Sequence, residues 1–292
     1  MDYINQSSIQ VRCEDSTLLA AHLYQPMNDC LGAVMIAPAT GIKKEFYAAF
    51  ASYLAEQGFG VLTFDNRGIG ASRSSVLSTS DASLQCWGEK DMPAVFNILK
   101  AKFPDTKYHL IGHSAGGQLV GLMHNASELS SMFNFACSSG CLKNMKWQYR
   151  IKAHFFMNIF IPLNNALFGH VKSHLVGMGE PLPKKVARQW QQWCNGQGYV
   201  KTAFGRSVHQ HLYDDLELPS TWSYAVDDDI ANYDNVVDMI NVFSKAKSHA
   251  DIVAYNPKEY ALNEIGHMKF FSRKAKPLWN DVLTWLSIHS SK

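Results

Sequence analysis

Six consecutive residues, Gly112 to Gly117 (GHSAGG), hold a serine among glycines between one apolar run, Tyr108 to Ile111, and another, Gln118 to Met123. The first run has the length of a buried strand, and the second reads as a helix. A strand that turns straight into a helix leaves no room for a Cβ at its tightest points, which Gly112 and Gly116 satisfy, and it presents Ser114 at the apex. The opening turn of the helix aims unpaired N–H groups at any negative charge that develops beside the serine. A Gly-x-Ser-x-Gly pattern by itself arises in roughly one chain in ten of this length, so its meaning depends on what surrounds it.

Upstream, strand and helix signals alternate. Ile9–Cys13 and Leu18–Tyr24, joined by a turn at Glu14-Asp15, read as a hairpin. Leu31–Ala37 and Gly60–Phe64 are too uniformly apolar for one-sided strands and suit the centre of a parallel sheet. Between them Phe46, Phe50, Tyr53 and Leu54 recur at helical spacing before Gly58, and a second helix is expected over about Leu84 to Lys102. After Ser114 a strand is expected over Met132–Cys137. From Cys141 to Pro219 only helix signals follow, among them Trp190, Trp193 and Cys194 on one helical face, read as internal packing. The sheet is expected to resume at Thr221–Val226, followed by a helix over Val236–Ala246, a strand at Asp251–Tyr255 and a final helix opened by Pro277. Such alternation predicts a parallel sheet with right-handed crossovers.

A chain of 292 residues with 47% hydrophobic content can bury a large core. A net charge of only +2, with no basic run interleaved with aromatics, argues against nucleic acid as a partner. The start, MDYINQSSIQ, reads as carrying no export signal, which places the expected location in the cytoplasm. Six cysteines without a Cys-x-x-Cys pair fit reduced thiols rather than disulfides or a zinc site. The longest apolar stretch, Ala153 to Phe168, is interrupted by Asn158, Pro162, Asn164 and Asn165 and falls short of the ~20 residues that span a bilayer. It reads as a lid or buried helix pair, with an interfacial helix as the alternative because Lys143, Lys146, Arg150 and Lys152 precede it.

Serine chemistry needs a base, and His267 stands in a Gly-His step between the last strand and the last helix, where loops at the carboxyl edge of a sheet gather. His209, His211 and His249 have no comparable position, and His113 is read as packing, with its ring directed away from the nucleophile. Three aspartates, Asp227, Asp228 and Asp229, follow a late strand and can each supply the acid.

The stretches APATG, FDNRGIGAS, GHSAGG, VDDDIA and IGHMKFF together resemble the α/β-hydrolase fold over nearly the whole chain. More closely, ATG, DNRGIGAS, GHSAGGQL, QWQQWC and GHMKFF are similar to a bacterial group of predicted serine hydrolases related to the serine aminopeptidase and monoacylglycerol lipase branch. The resemblance implies a mostly parallel twisted sheet with helices on both faces, a core over residues 1–140 and 220–292, and a helical cap insertion over 141–219. It also implies a triad of Ser114, Asp228 and His267, the acid standing two positions before apolar Ile230; this chain carries Asp229 where relatives tend to have proline, which leaves the register among the three aspartates open. The oxyanion donors it implies are the backbone N–H of Ala115 and one from the loop Pro38–Gly41, Thr40 being preferred and Ala39 remaining open. Asp65 and Arg67 are read as structural.

These readings together imply a serine hydrolase acting on a small or medium acyl ester through an acyl-enzyme, with no metal and no cofactor, and without stable membrane insertion. Thioesterase, acyltransferase and peptidase chemistry use the same triad. A ligand-binding protein that kept the fold and lost turnover is the alternative of another class.

Overall fold

A computed structural model describes residues 4–73 and 76–291. These residues form an eight-stranded sheet of order β1-β2-β4-β3-β5-β6-β9-β10. In chain order the elements are β1 (Ile4–Arg12), β2 (Leu18–Pro26), β3 (Gly32–Ala37), α1 (Ala48–Glu56), β4 (Phe59–Phe64), α2 (Leu84–Cys86), α3 (Met92–Lys102), β5 (Tyr108–His113), α4 (Ala115–Gln118) and β6 (Ser131–Phe135). There follow α5 (Trp147–Phe155), α6 (Ile161–Phe168), β7 (His170–Val171), β8 (Leu182–Pro183), α7 (Lys184–Cys194), β9 (Ser220–Ala225), α8 (Tyr233–Ile240), β10 (Ala250–Tyr255) and α9 (Lys276–Ser290). β1 and β2 pair antiparallel with each other, and β2 with β4; from β4 to β10 the sheet is parallel. β3 and β4 are buried at every position, so both faces of the sheet centre are covered. This is the α/β-hydrolase fold.

The topology positions the site. β3 lies between β4 and β5, the point where the strand order reverses, and loops leaving the carboxyl ends of β3 and β5 diverge there and open a crevice. Ala37 pairs with Gly112, so the loop that begins at Pro38 and the turn that begins at His113 leave the same edge side by side.

Several elements differ from the sequence reading. β1 starts at Ile4 rather than Ile9, because its first half, INQSSI, lies on the sheet edge and has no apolar alternation to betray it. The run after Ser114 is not one helix: α4 ends at Gln118 and a separate 3-10 turn covers Val120–Leu122. Gly116, Gly117 and Gly121 favour a helix poorly. The stretch Cys141–Pro219, expected to be free of strands, holds the two-residue ladder β7–β8. The long helix before β5 is interrupted by a π-turn at Trp87–Asp91, two residues ahead of Pro93. The same device recurs at Phe156–Phe160 ahead of Pro162, where proline has no N–H to donate to the preceding turn.

Candidate active site

At the end of β5 the backbone reverses through Ser114 with φ 48° and ψ −115°, a conformation that costs a non-glycine residue about 1–3 kcal/mol. The positions two residues to either side must be glycine. A Cβ on Gly116 would lie 2.0 Å from the Ala37 carbonyl oxygen, and one on Gly112 would lie 2.5 Å from the Gly117 backbone. The strain holds the Ser114 hydroxyl outward at the sheet edge.

Two loops meet it there. The Ser114 hydroxyl stands 3.0 Å from His267 Nε2, and the His267 Nδ1–H donates to Asp228 Oδ2 at 2.8 Å. The other carboxylate oxygen of Asp228 accepts from the N–H groups of Ile230 (2.7 Å) and Ala231 (3.0 Å). Burial pushes the Asp228 carboxyl up, but the adjacent His267 and the hydrogen bonds from His267, Ala231 and Ile230 outweigh it, so the group lies below the ordinary carboxylate range and stays ionised. The three aspartates among which the sequence favoured Asp228 and left the register open do different things. Asp227 accepts from the N–H groups of Ile265 and Gly266, both at 3.0 Å, and so anchors the strand of backbone leading into His267. Asp229 turns to the surface, 3.9 Å from Lys146.

His113 does pack away from the serine, but it is wired to the site. Tyr47 Oη accepts from the Ala39 N–H at 2.9 Å and donates its own proton to His113 Nδ1 at 2.9 Å. That fixes the tautomer, so the His113 Nε2–H donates to the His267 carbonyl at 2.9 Å. Burial, reinforced by the neighbouring His267, pushes the His113 imidazole down to about 3 and keeps it neutral. A buried chain of hydrogen bonds thus joins the loop after β3 to the loop that carries His267. Sequence reasoning missed it: Tyr47 carries no local signal, and only the adjacency of His113 to Ser114 hinted at a role.

The same chain treats Ala39 and Thr40 differently. The Ala39 N–H is taken by Tyr47, whereas the Thr40 N–H finds no partner among the described residues, and the Ala115 N–H lies in the first turn of α4 where no carbonyl reaches it. Both free groups belong to segments that flank Ser114. Asp65 holds backbone, and Arg67 bridges two carboxylates away from Ser114. Asp65 accepts from the N–H groups of Lys44 and Ala71, and Arg67 is clamped by buried Asp91 and by Asp15.

Ser114 and His267 open into a cavity of about 470 Å³, whose walls include Ile42, Met145, Met157, Met178, Met268 and Trp190. Phe155, Phe156 and Val176 are among the other side chains that line it; Phe160 stacks on Phe156 with ring centres 5.6 Å apart, one layer out. Trp190 and Cys194, read from sequence as packing, also reach the cavity, while Trp193 is buried against Tyr199. Burial first, then the charges of Asp228 and Asp229, push the Tyr149 phenol up to about 12, so it faces the cavity as a neutral group. Burial also raises the Cys194 thiol well above its usual range, which leaves it a poor nucleophile. A larger cleft of about 620 Å³, bounded by Asn158, Gln189, Gln192 and Arg206, does not reach Ser114.

Comparison with known proteins bears on the same residues. The family model described as serine aminopeptidase, S33, matches residues 28–189, more than half of the 292. The chain belongs to the serine aminopeptidase S33 family. The matched S33 segment contains the loop after β3 and the Ser114 turn, and it stops before Asp228 and His267, whose placement comes from the structure alone. Curated protein sequences offer no significant match. Among solved structures, a soluble variant of monoglyceride lipase from Saccharomyces cerevisiae in complex with a substrate analog is similar at a TM-score of 0.72 and 14% identity, over 98% of this chain and 97% of that one. A thermostable carboxyl esterase from Bacillus coagulans in complex with glycerol is similar at 0.65 and 14% identity, over 98% and 99%. The Pyrococcus furiosus esterase Pf2001 is similar at 0.63 and 15% identity, over 99% and 92%. At such identities the likeness is one of fold. The S33 assignment makes the protein a hydrolase.

Proposed function

We propose that this S33 hydrolase is a serine carboxylesterase for small and medium acyl groups, working through an acyl-enzyme. The observation that carries the reading is the relay from Ser114 through His267 to ionised Asp228 at the floor of an apolar cavity. As Ser114 Oγ attacks the ester carbonyl, His267 Nε2 takes its proton, and Asp228 holds the Nδ1–H and stabilises the imidazolium that forms. The carbonyl oxygen becomes an anion received by the N–H groups of Ala115 and Thr40. His267 returns the proton to the leaving alcohol, and water then repeats the sequence on the acyl-enzyme. The chain Tyr47–His113–His267 carbonyl keeps the two halves of this machinery in register. Residues 141–219 act as the cap that roofs the acyl group.

An ester suits the cavity better than a peptide with a free amino terminus. The residues lining it include no Asp or Glu to receive an ammonium group, and Lys152 would repel one.

The test combines a fluorophosphonate probe with p-nitrophenyl esters from acetate to decanoate. Labelling should map to Ser114, and Ser114→Ala should lose on the order of 10⁶ in turnover without unfolding. Each methylene buried in the cavity is worth about 0.8 kcal/mol, so kcat/KM should climb roughly tenfold from acetate to butyrate, and Phe156→Ala should move the optimum to longer chains. A Ser114→Ala protein that retains a tenth of the activity ends the serine mechanism, and a flat chain-length profile ends the acyl reading of the cavity.

A further inference from the structure

Along α5, the π-turn and α6, Trp147, Ile151, Phe155, Ile159, Leu163 and Leu167 recur at every fourth residue, and each is between 53% and 65% exposed. On a regular helix an every-fourth pattern drifts by about 40° per step, roughly 200° over five steps. The π-turn inserts one extra residue and takes back about 100°, so the six side chains share one face of a helix about 33 Å long. The opposite face is spoken for: Met157, Ile161 and Asn164 are buried, and Phe156 packs on Trp190. The exposed face is therefore not a failed core. Its six side chains present on the order of 600 Å² of apolar surface, the top of the range a soluble monomer carries.

Charge identifies what covers it. From residue 141 to 179 there is no Asp or Glu, while Lys143, Lys146, Arg150, Lys152 and Lys172 are all present. A second copy docking through this face about a two-fold axis would set these cations against themselves with no acid in the segment to pair them. An anionic bilayer surface supplies both the apolar phase and the countercharge. No helix among the described residues is long and apolar enough to cross a membrane, so the contact is peripheral. The cavity opens on the same face: Phe155, Lys152 and Val176 line it and are themselves exposed.

We propose that the helix of residues 147–168 lies in the interfacial layer of an anionic lipid bilayer, and that acyl substrates pass from the lipid into the cavity without crossing water. The docking stands on the surface alone; the delivery clause rests on the esterase reading.

The experiment is cosedimentation with vesicles of phosphatidylcholine and phosphatidylserine, 3:1, using the Ser114→Ala protein so that binding is measured apart from turnover. Binding should be strong on these vesicles, at least several-fold weaker on pure phosphatidylcholine, and weakened by high salt. Leu163→Ser with Leu167→Ser, outside the cavity lining, should lower binding tenfold or more with an unchanged melting temperature. On the Ser114 background the same pair should slow hydrolysis of a vesicle-embedded long-chain ester and spare soluble p-nitrophenyl butyrate. Absence of binding to the anionic vesicles, or a double variant that binds like its parent, overturns the docking. A concentration-dependent dimer that the double variant abolishes assigns the face to a second copy and overturns it as well. Vesicle binding with no ester hydrolysis by the wild type leaves the docking standing and removes only the delivery clause and the esterase reading.

Discussion

In β3 and β4 every residue is buried, whereas in α5, nine residues long, none is. Both regions carry large apolar side chains, but β3 and β4 hold no charged residue, whereas α5 interleaves its own with Gln148, Arg150, Lys152 and His154. The sheet covers its apolar residues with helices of the same chain on both faces. In residues 141–219, α7 covers one face of the helix over 147–168 and a few residues beside it line a cavity, but the apolar side chains on the outer face of that helix have no cover within the described residues. Hydrophobicity says that a side chain is better off away from water. It does not say which surface takes it away.

The contrast is sharpest between two adjacent carboxylates, one turned into the sheet edge and one toward the insertion. Asp228→Asn should cost about 10⁴ in kcat, the loss expected when the base loses its orienting carboxylate, while Asp229→Asn should leave kcat within a factor of two. Steady-state kinetics on p-nitrophenyl butyrate read both. Equal losses would mean that the Lys146 side of the loop matters as much as the buried side.

Stability separates the regions next. Phe59→Ala, which empties a fully buried site in β4, should destabilise the fold by about 3–5 kcal/mol, and Leu163→Ser in the insertion by less than about 0.5 kcal/mol. Urea denaturation followed by circular dichroism measures each. A costly Leu163→Ser would show that the exposed stripe contributes to the core after all.

The last contrast concerns acid. His113 is buried with its imidazole held down to about 3, against 6.5 in the unfolded chain. The folded state therefore favours the neutral ring, and the stability this adds is fully present above about pH 6.5 and lost as pH falls from there toward 3. At pH 4 the loss is on the order of 3 kcal/mol. His113→Gln should be less stable at neutral pH and should flatten the fall in melting temperature between pH 6.5 and pH 4. His109, held down to about 4 by burial, acts in the same direction, so the flattening is partial. An acid limb with the wild-type slope in His113→Gln would place the titration elsewhere.

The parts of this molecule legible in the sequence are those specified by local sterics and period. Ser114 was legible because a strand-to-helix turn excludes a Cβ at Gly112 and Gly116, and the central strands because burial on both faces leaves no polar alternation. β1 was only half legible, since an edge strand is free to be polar. The register of Asp227, Asp228 and Asp229 was legible only through the resemblance, which favoured Asp228 and left the other two open: the three are chemically identical, and the turn after β9 sets which side chain meets His267 and which holds its backbone. Nor was the relay through Tyr47, which joins residues 66 positions apart.

The sequence by itself determined a mostly parallel sheet, a strained serine at the carboxyl end of one of its strands and a strand-poor stretch rich in apolar residues before β9, because backbone sterics and hydrophobic period act over a few residues. Only the tertiary structure decided which aspartate faces His267, that Thr40 rather than Ala39 keeps a free N–H, and which apolar residues of the insertion face the cavity, the core or the outside. Those choices depend on directions set by residues far away in the chain, and hydrogen bonds and packing are sensitive to direction where composition is not.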